Sequence, residues 1–187
     1  MANMPAHTLT RQRRPRPGST ALTEQISLVH GRVHELCGPA RKSLALRIAA
    51  HVSGPILWLR PSWDGSQINA DGIAPHINPA RIVFASAKRA EDILWCAEEA
   101  LRSGAAPLVV AELAEPPALT PIRRLHLAAE TTGTPPLIVL LTPEDGGAQG
   151  VETRWHVAPR HGPAATSWSL TRLRARMAPP ARRSYTE

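Results

Sequence analysis

Residues 31–46, GRVHELCGPARKSLAL, decide how the rest of the chain is interpreted. A β-prone run ends at Cys37, a Gly-Pro turn follows, and Lys42 and Ser43 open a helix with periodic apolar residues. This order is typical of a phosphate-binding loop, in which four residues and a second glycine stand between the first glycine and the lysine. Only three residues separate Gly38 from Lys42. The pattern therefore predicts the strand, turn and helix of such a site, with a loop too short to surround a phosphate with N–H groups.

Strand-like and helical segments alternate on both sides of this stretch. Strands are predicted at residues 33–37, 55–60, 81–86, 107–113 and 135–142, and helices at 20–31, 41–52, 87–104 and 118–133, with a short helix near 64–72. The central strands are almost continuously apolar, which is typical of parallel strands covered by helices on both faces. Residues 152–159 and 167–176 alternate polar and apolar residues and are expected to be antiparallel edge strands. The predicted fold is α/β: an open parallel sheet flanked by helices, with antiparallel C-terminal edge strands.

Basic residues are concentrated at the two ends of the chain. Of the 22 Lys and Arg residues, ten lie in residues 1–20 and 160–187. Because residues 1–20 contain few apolar side chains, we predict a disordered basic arm there, an α/β core at 21–159, and a basic edge strand and tail at 160–187. The alternative is that the charged ends only keep the protein soluble. Candidate contacts to DNA or to an acidic partner are Arg11, Arg13, Arg14, Arg16, Arg172, Arg174, Arg176 and Trp168.

Alternation along residues 167–176 predicts how the last of these candidates are displayed. Leu170 and Leu173 are expected to face the protein, and the arginines at 172, 174 and 176 are expected to share one face. Like charges on one strand face repel one another, so this arrangement favours an anionic partner. DNA phosphate and an acidic protein surface both fit.

The five tryptophans divide by their surroundings in the sequence. Trp58 and Trp95 lie in apolar segments and are expected in the core, which is also the favoured place for Trp155. Trp63 follows a predicted strand end, and Trp168 lies on a half-exposed strand. Both are candidates for stacking on bases or for contact with a partner.

Several classes of protein are not indicated. No apolar run approaches the ~18 residues that a membrane span needs, and no apolar segment of a secretion signal follows the basic N-terminus, so a cytoplasmic protein is expected. Two cysteines provide no disulfide framework, and the eight histidines show no metal-binding spacing, so no metal site is expected.

The stretch GRVHELCGP resembles the strand and loop that open the ATPase core of RecA, and the similarity continues in order and spacing through LRSGAAPLVVAEL, PALTP and PPLIVLLT, over about residues 25–158. Within that superfamily the chain most resembles the ImuA family of small RecA-like accessory proteins, also called SulA-like. The motifs that support this are GRVHEL-GP, PILWL, ARIVFASAKRAEDILWCAEEALRSG, RRLHLAAETTGTP and ETRWHVAP. The resemblance implies a RecA-like fold of the P-loop NTPase type. It also implies a role in the SOS response and mutagenic translesion synthesis, with RecA, an ImuB-type Y-family polymerase homologue and a DnaE-type polymerase.

The same resemblance identifies a remnant nucleotide site. Gly38, Lys42 and Ser43 match the glycine, lysine and hydroxyl residue of the loop, and Glu112 falls where the family has its acidic residue. Arg41, however, occupies the place of the second glycine, and its side chain obstructs the approach of the backbone to a phosphate. We expect Glu112 to pair with Lys42 or Arg41 rather than with a metal.

The catalytic positions of a recombinase are also altered. Residues 60–62, Arg-Pro-Ser, stand where a recombinase has the Glu that activates water, and Thr142 stands where it has a Gln that contacts the γ-phosphate. Residues 143–151 are short and carry Glu144 and Asp145 rather than a basic DNA-binding loop. No ATP hydrolysis and no bound cofactor are therefore expected.

Three functions follow from these observations. The leading hypothesis is a non-catalytic accessory protein that connects RecA to the ImuB-type polymerase homologue. The alternatives are a weak ATP- and Mg²⁺-binding regulator that uses the remnant loop, and a DNA-binding protein that acts through its basic ends.

Overall fold

The computed structural model describes residues 18–23, 26–66, 68–162 and 165–186. The arginines of the predicted basic arm, at positions 11, 13, 14 and 16, lie outside these ranges. No helix within them is long and apolar enough to cross a membrane.

The described chain forms one eight-stranded sheet, a separate two-stranded hairpin and four α-helices. The strands are β1 (Ser19–Thr23), β2 (Ile26–Val29), β3 (Val33–Cys37), β4 (Ile56–Pro61), β5 (Ile82–Ala87), β6 (Leu108–Glu112), β7 (Leu137–Leu141), β8 (Thr153–Pro159), β9 (Ser167–Ala175) and β10 (Ala181–Thr186). The helices are α1 (Arg41–Ala50), α2 (Ala70–Ile73), α3 (Ala90–Ser103) and α4 (Leu119–Ala129), and Pro79–Arg81 forms a 3-10 turn. The large sheet has the order β10-β9-β8-β3-β7-β6-β4-β5 and is mostly parallel. The predicted α/β class and the central parallel strands are therefore confirmed.

Two hydrophobic clusters cover the two faces of this sheet. On one face, α1 and the β1–β2 hairpin pack over the core through residues such as Leu28, Leu44 and Ile48. On the other face, α3 and α4 pack through residues such as Leu101 and Ile122. The central strands are apolar at nearly every position because both of their faces are buried.

The helix predicted at residues 20–31 is wrong, because this segment is the antiparallel β1–β2 hairpin. Leu22, Ile26 and Val29 have helical spacing, but Ile26 and Leu28 are also two residues apart, and both are buried. Spacing alone does not separate the two structures in a segment this short. The hairpin is favoured because its inner face covers the core beside α1.

The predicted antiparallel arrangement of the C-terminal strands is only partly right. β8 runs parallel to β3, while β9 pairs antiparallel with β8, and β10, in the predicted tail, pairs antiparallel with β9. The reason is the path of residues 142–152. They return across the α3–α4 face, where Ala148 and Val151 join the core, so that Thr153 pairs with His34 near the start of β3.

Trp58 is fully buried as predicted, but the expectation for Trp95 is wrong, since its side chain is 57% exposed. Ile93, Ala97 and Leu101 define the face of α3 that packs on the sheet. Trp95 lies two residues after Ile93 and therefore points away from that face.

The fully buried His34 links the hairpin to the large sheet. Its ring nitrogens lie 3.0 Å from the carbonyl oxygen of Val29 and 2.8 Å from Oγ1 of Thr153. Burial lowers the pKa of this imidazole to about 4, and burial likewise lowers the pKa of His126 to about 4. Both rings are therefore neutral in the folded protein at pH values where the unfolded chain already binds protons.

We predict that the free energy of unfolding falls as the pH is lowered from about 6.5 to about 4, by roughly 3 kcal/mol for His34 alone. The unfolded state gains protons in this window that the folded state does not bind. Urea titrations at several pH values measure the slope. A His34→Gln variant is expected to show a shallower pH dependence, whereas His51→Gln, at an exposed position, should keep the wild-type slope. An equal slope in the wild type and His34→Gln would contradict this account.

Candidate functional site

The loop after β3 is closed against β8. The N–H of Ala40 donates to the carbonyl of Val157 at 3.1 Å, and the N–H of Arg41 donates to the carbonyl of Gly38 at 3.4 Å. Gly38 has φ +84°, and a Cβ there would lie 2.7 Å from the Val157 oxygen, so this position requires glycine. In a phosphate-binding loop these N–H groups would point at the ligand. Here two of them are already hydrogen-bonded within the protein.

The ammonium of Lys42 is held by side chains of the protein. Its Nζ lies 2.7 Å from Oε2 of Glu112 and 3.6 Å from Oδ2 of Asp64. It also donates a hydrogen bond of 2.9 Å to Oγ of Ser66. Glu112 was predicted to pair with Lys42 or Arg41, and the pairing with Lys42 is confirmed. Lys42 therefore has internal partners for the charge and the donors that would otherwise reach a phosphate.

Both carboxylate oxygens of Glu112 are engaged. One accepts from Lys42, and the other accepts a 2.6 Å hydrogen bond from the indole nitrogen of Trp58. The carboxylate is buried at the carboxyl end of β6, where an unpaired charge would be costly. Within the described ranges, no group of three or more His, Cys, Asp or Glu residues has an arrangement that could hold a metal ion.

Ser43 does not cap α1. The helix begins after Ala40, which provides no side-chain cap, and Ser43 is exposed in the first turn. In this loop the charge of Lys42 is paired with Glu112, and the N–H groups of Ala40 and Arg41 are hydrogen-bonded within the protein.

A cavity of about 230 Å³ lies beside this cluster, at the carboxyl ends of the strands. Arg41, Pro61, Trp63, Asp64 and Glu112 contribute to its lining. Trp63 is 65% exposed, so its position beyond a strand end leaves the ring accessible as predicted. The cavity therefore combines an accessible aromatic ring with charged groups that already pair with one another.

Thr142 belongs to a buried network that the sequence analysis did not identify. Its hydroxyl donates to Oε1 of Glu35 at 2.7 Å, and the same oxygen accepts from the N–H groups of Gly147 and Ala148 at 2.9 and 3.1 Å. Arg154 forms an ion pair with the other oxygen. A glutamate within the apolar strand VHELC was the available signal. Thr142 therefore fixes residues 142–152 to β3 instead of contacting a nucleotide.

The prediction that Arg172, Arg174 and Arg176 share one face is wrong for Arg172 and Arg174. The register shifts along β8, so that Arg172 pairs with Trp155 and Arg174 pairs with Arg154. Arg154 and Trp155 are neighbours in β8 and therefore point to opposite faces of the sheet. Arg172 and Arg174, which pair with them, are therefore on opposite faces. The guanidinium of Arg172 lies 5.6 Å from the ring centre of the buried Trp155 and donates to the carbonyl of Pro179.

Trp168 is not accessible for stacking on a base, since it is only 3% exposed. The guanidinium carbon of Arg47 lies 4.0 Å above its ring, and the rings of His161 and Tyr185 pack nearby. This strand was predicted to be half exposed, but α1 and β10 cover it at Trp168. Trp168 is therefore part of the core that holds β9 and β10 in place.

We predict that Lys42→Met lowers the free energy of unfolding by about 2 kcal/mol, because it leaves the buried carboxylate of Glu112 without its cation. Combining Lys42→Met with Glu112→Gln is expected to recover part of that loss, since the amide keeps an acceptor for Trp58. Urea unfolding of the two single variants and the double variant measures the coupling. Arg123→Met, which removes an exposed cation from α4, should change stability by less than about 0.5 kcal/mol. Additive effects at positions 42 and 112 would contradict the pairing.

Comparison with known proteins assigns no family to the chain. No protein-family model matches it, and no curated protein matches it significantly. The resemblance to the ImuA family therefore rests on the sequence motifs alone.

Proposed function

We propose that the protein is a non-catalytic, RecA-like accessory factor in SOS-induced translesion DNA synthesis. It acts by contact with RecA and with an ImuB-type Y-family polymerase homologue. The observation that carries the proposal is the ion pair between Lys42 and Glu112 at 2.7 Å, which replaces contacts to a nucleotide. The protein retains the architecture around such a site and uses its polar residues for stability.

The RecA-like part of the proposal is supported by the placement of the motif residues. The loop between β3 and α1 and the end of β6 lie at the same edge of a parallel sheet with helices on both faces. Lys42 and Glu112, matched to the family separately along the sequence, are in direct contact. This arrangement is compatible with a P-loop-type core.

The non-catalytic part is supported at the two other altered positions. The guanidinium of Arg60 donates to the backbone carbonyl of Asp64 at 2.7 Å and provides no general base. Thr142 is bonded to Glu35. Since phosphoryl transfer depends on positioning and on stabilisation of charge, these groups supply little of what the reaction needs.

The partner assignment is tested by pull-down of the purified protein with RecA and with the ImuB-type homologue from the same source. We expect association with at least one of them, both with and without ATP. A stably folded Lys42→Met variant should associate as the wild type does. Failure to bind either partner overturns the proposed role.

Nucleotide titration separates this role from that of an ATP-dependent regulator. We expect a fluorescent ATP analogue to bind negligibly, and equally, to the wild type and to Lys42→Ala. Saturable binding that is lost in Lys42→Ala but retained in Arg123→Ala, together with association that requires ATP, would instead support the regulator.

Direct DNA binding is a second candidate function, favoured by four exposed arginines near the C-terminus. Arg174, Arg176, Arg182 and Arg183 are exposed and form no ion pair within the described part of the chain. For single-stranded DNA binding, log K falls as log salt concentration rises. Replacing all four arginines by Gln is expected to make this slope shallower by about 3. Fluorescence anisotropy at several salt concentrations measures it, with Arg123→Gln as control. An unchanged slope would exclude these four arginines as DNA contacts.

A further inference from the structure

β5 forms one outer edge of the eight-stranded sheet, and no strand of the described residues pairs with its outward side. The N–H of Ser62, just after β4, donates to the carbonyl of Ala87 at 2.9 Å, so the backbone groups of Ala87 face β4. Because these groups alternate along a strand, those of Phe84 and Ser86 face away from the sheet. Their N–H groups make no hydrogen bond with the described residues. This edge can accept another strand.

The opposite edge of the sheet is different. β10 exposes Arg182, Arg183 and Ser184 along its length, and charged residues of this kind discourage pairing with another chain. β5 instead exposes Val83 and Phe84, at 54% and 47%. The exposed rings of Trp63 and Trp95 belong to the segments that follow β4 and β5. Exposed apolar groups thus accompany the edge that is open to pairing.

A cavity of about 360 Å³ lies along the outer part of this edge. Its lining includes Phe84 and Ser86 of β5, with Ile68, Arg60 and Ser62. Phe84 packs toward Trp58, with ring centres 6.5 Å apart, and Ile68 packs against the same core cluster, so the cavity opens on the α1 face of the sheet. Arg60 forms no ion pair within the described ranges, and Lys88 is exposed just after β5. The cavity has an apolar floor and a cationic end.

We propose that β5 receives an extended acidic segment of a partner protein by strand addition. An apolar side chain of that segment lies against Ile68 and Phe84, and a carboxylate meets Arg60. Backbone hydrogen bonds to Phe84 and Ser86 supply affinity, and the alternate side chains supply specificity. The inference rests on the proposed function in that it gives the contact-based role a docking surface.

Charge favours this acidic segment over two other possible occupants of the β5 edge, which are a second copy of the chain and the chain's own residues 1–17. In a symmetric pair of β5 strands from two copies, antiparallel pairing would bring Arg81 of one copy toward Lys88 of the other, and like charges repel. Residues 1–17 carry four arginines and no acidic residue, which also disfavours their placement beside Arg60 and Lys88. A segment with Asp or Glu fits the edge better than either.

The test uses a displayed library of random dodecapeptides selected on the full-length protein. We expect the enriched peptides to alternate apolar residues and to contain Asp or Glu. Their affinity should fall at least about tenfold in Ser86→Pro, which removes the outward N–H but no bond to β4, and in Arg60→Gln. Ser86→Asp provides a second variant if the proline destabilises the strand. Arg123→Gln, on α4, should bind as the wild type does.

Hydrogen exchange provides a direct measurement of strand addition. With a selected peptide bound, the amides of Phe84 and Ser86 should exchange at least about tenfold more slowly, while the amide of Ser43, in α1, should not change. No enrichment, or peptides that bind Ser86→Pro and Ser86→Asp as tightly as the wild type, would overturn the proposal. So would dimerisation of the wild type that Ser86→Asp abolishes, or peptide binding that requires removal of residues 1–17.

The peptide selection and the hydrogen-exchange measurement give results that are independent of the pull-down with RecA and the polymerase homologue. Selected peptides that protect β5, together with failure of both pull-downs, would leave the docking edge standing and reject the pathway. Association with RecA or the homologue that is unaffected by Ser86→Asp, with no peptide selected, would reject the docking edge and keep the proposed function.

Discussion

The arrangement of the site depends on the hydrogen bonds and the ion pair that the buried carboxylate of Glu35 forms. It binds the hydroxyl of Thr142, the N–H groups of Gly147 and Ala148, and the guanidinium of Arg154. These bonds hold residues 142–152 across the α3–α4 face, so that β8 begins at the same end of the sheet as β3 and runs parallel to it. A buried charge is tolerated here because several donors and one cation surround it.

The position of β8 in turn decides what the first loop can bind. Because β8 lies beside β3, the carbonyl of Val157 reaches the N–H of Ala40 and leaves no room for a side chain at Gly38. The loop is thereby packed as part of the sheet edge, while Lys42 turns to Glu112 and Ser66. One buried network thus leads, through strand placement, to a site whose polar groups stabilise the protein.

Local sequence patterns predicted the central part of the molecule well. Apolar runs located β3 to β7, and periodicity located α1, α3 and α4, because each of these elements buries a continuous strand or a single helical face. An ion pair of Glu112 with Lys42 or Arg41 was also predicted, since a carboxylate at a strand end beside cations is stabilised by them, and Lys42 is the partner. The same patterns failed for Trp95, where an apolar neighbourhood in sequence did not coincide with the inward face of the helix.

By itself, the sequence determined the α/β class and the short loop between Gly38 and Lys42, because these depend on local periodicity and residue identity. Only the tertiary structure decided the β1–β2 hairpin, the parallel direction of β8, the separation of Arg172 from Arg174 and the burial of Trp168. It also decided that β5, rather than a C-terminal strand, is the open apolar edge. Each of these depends on which segments meet in space, and such long-range pairing leaves no periodic signal in the segments themselves.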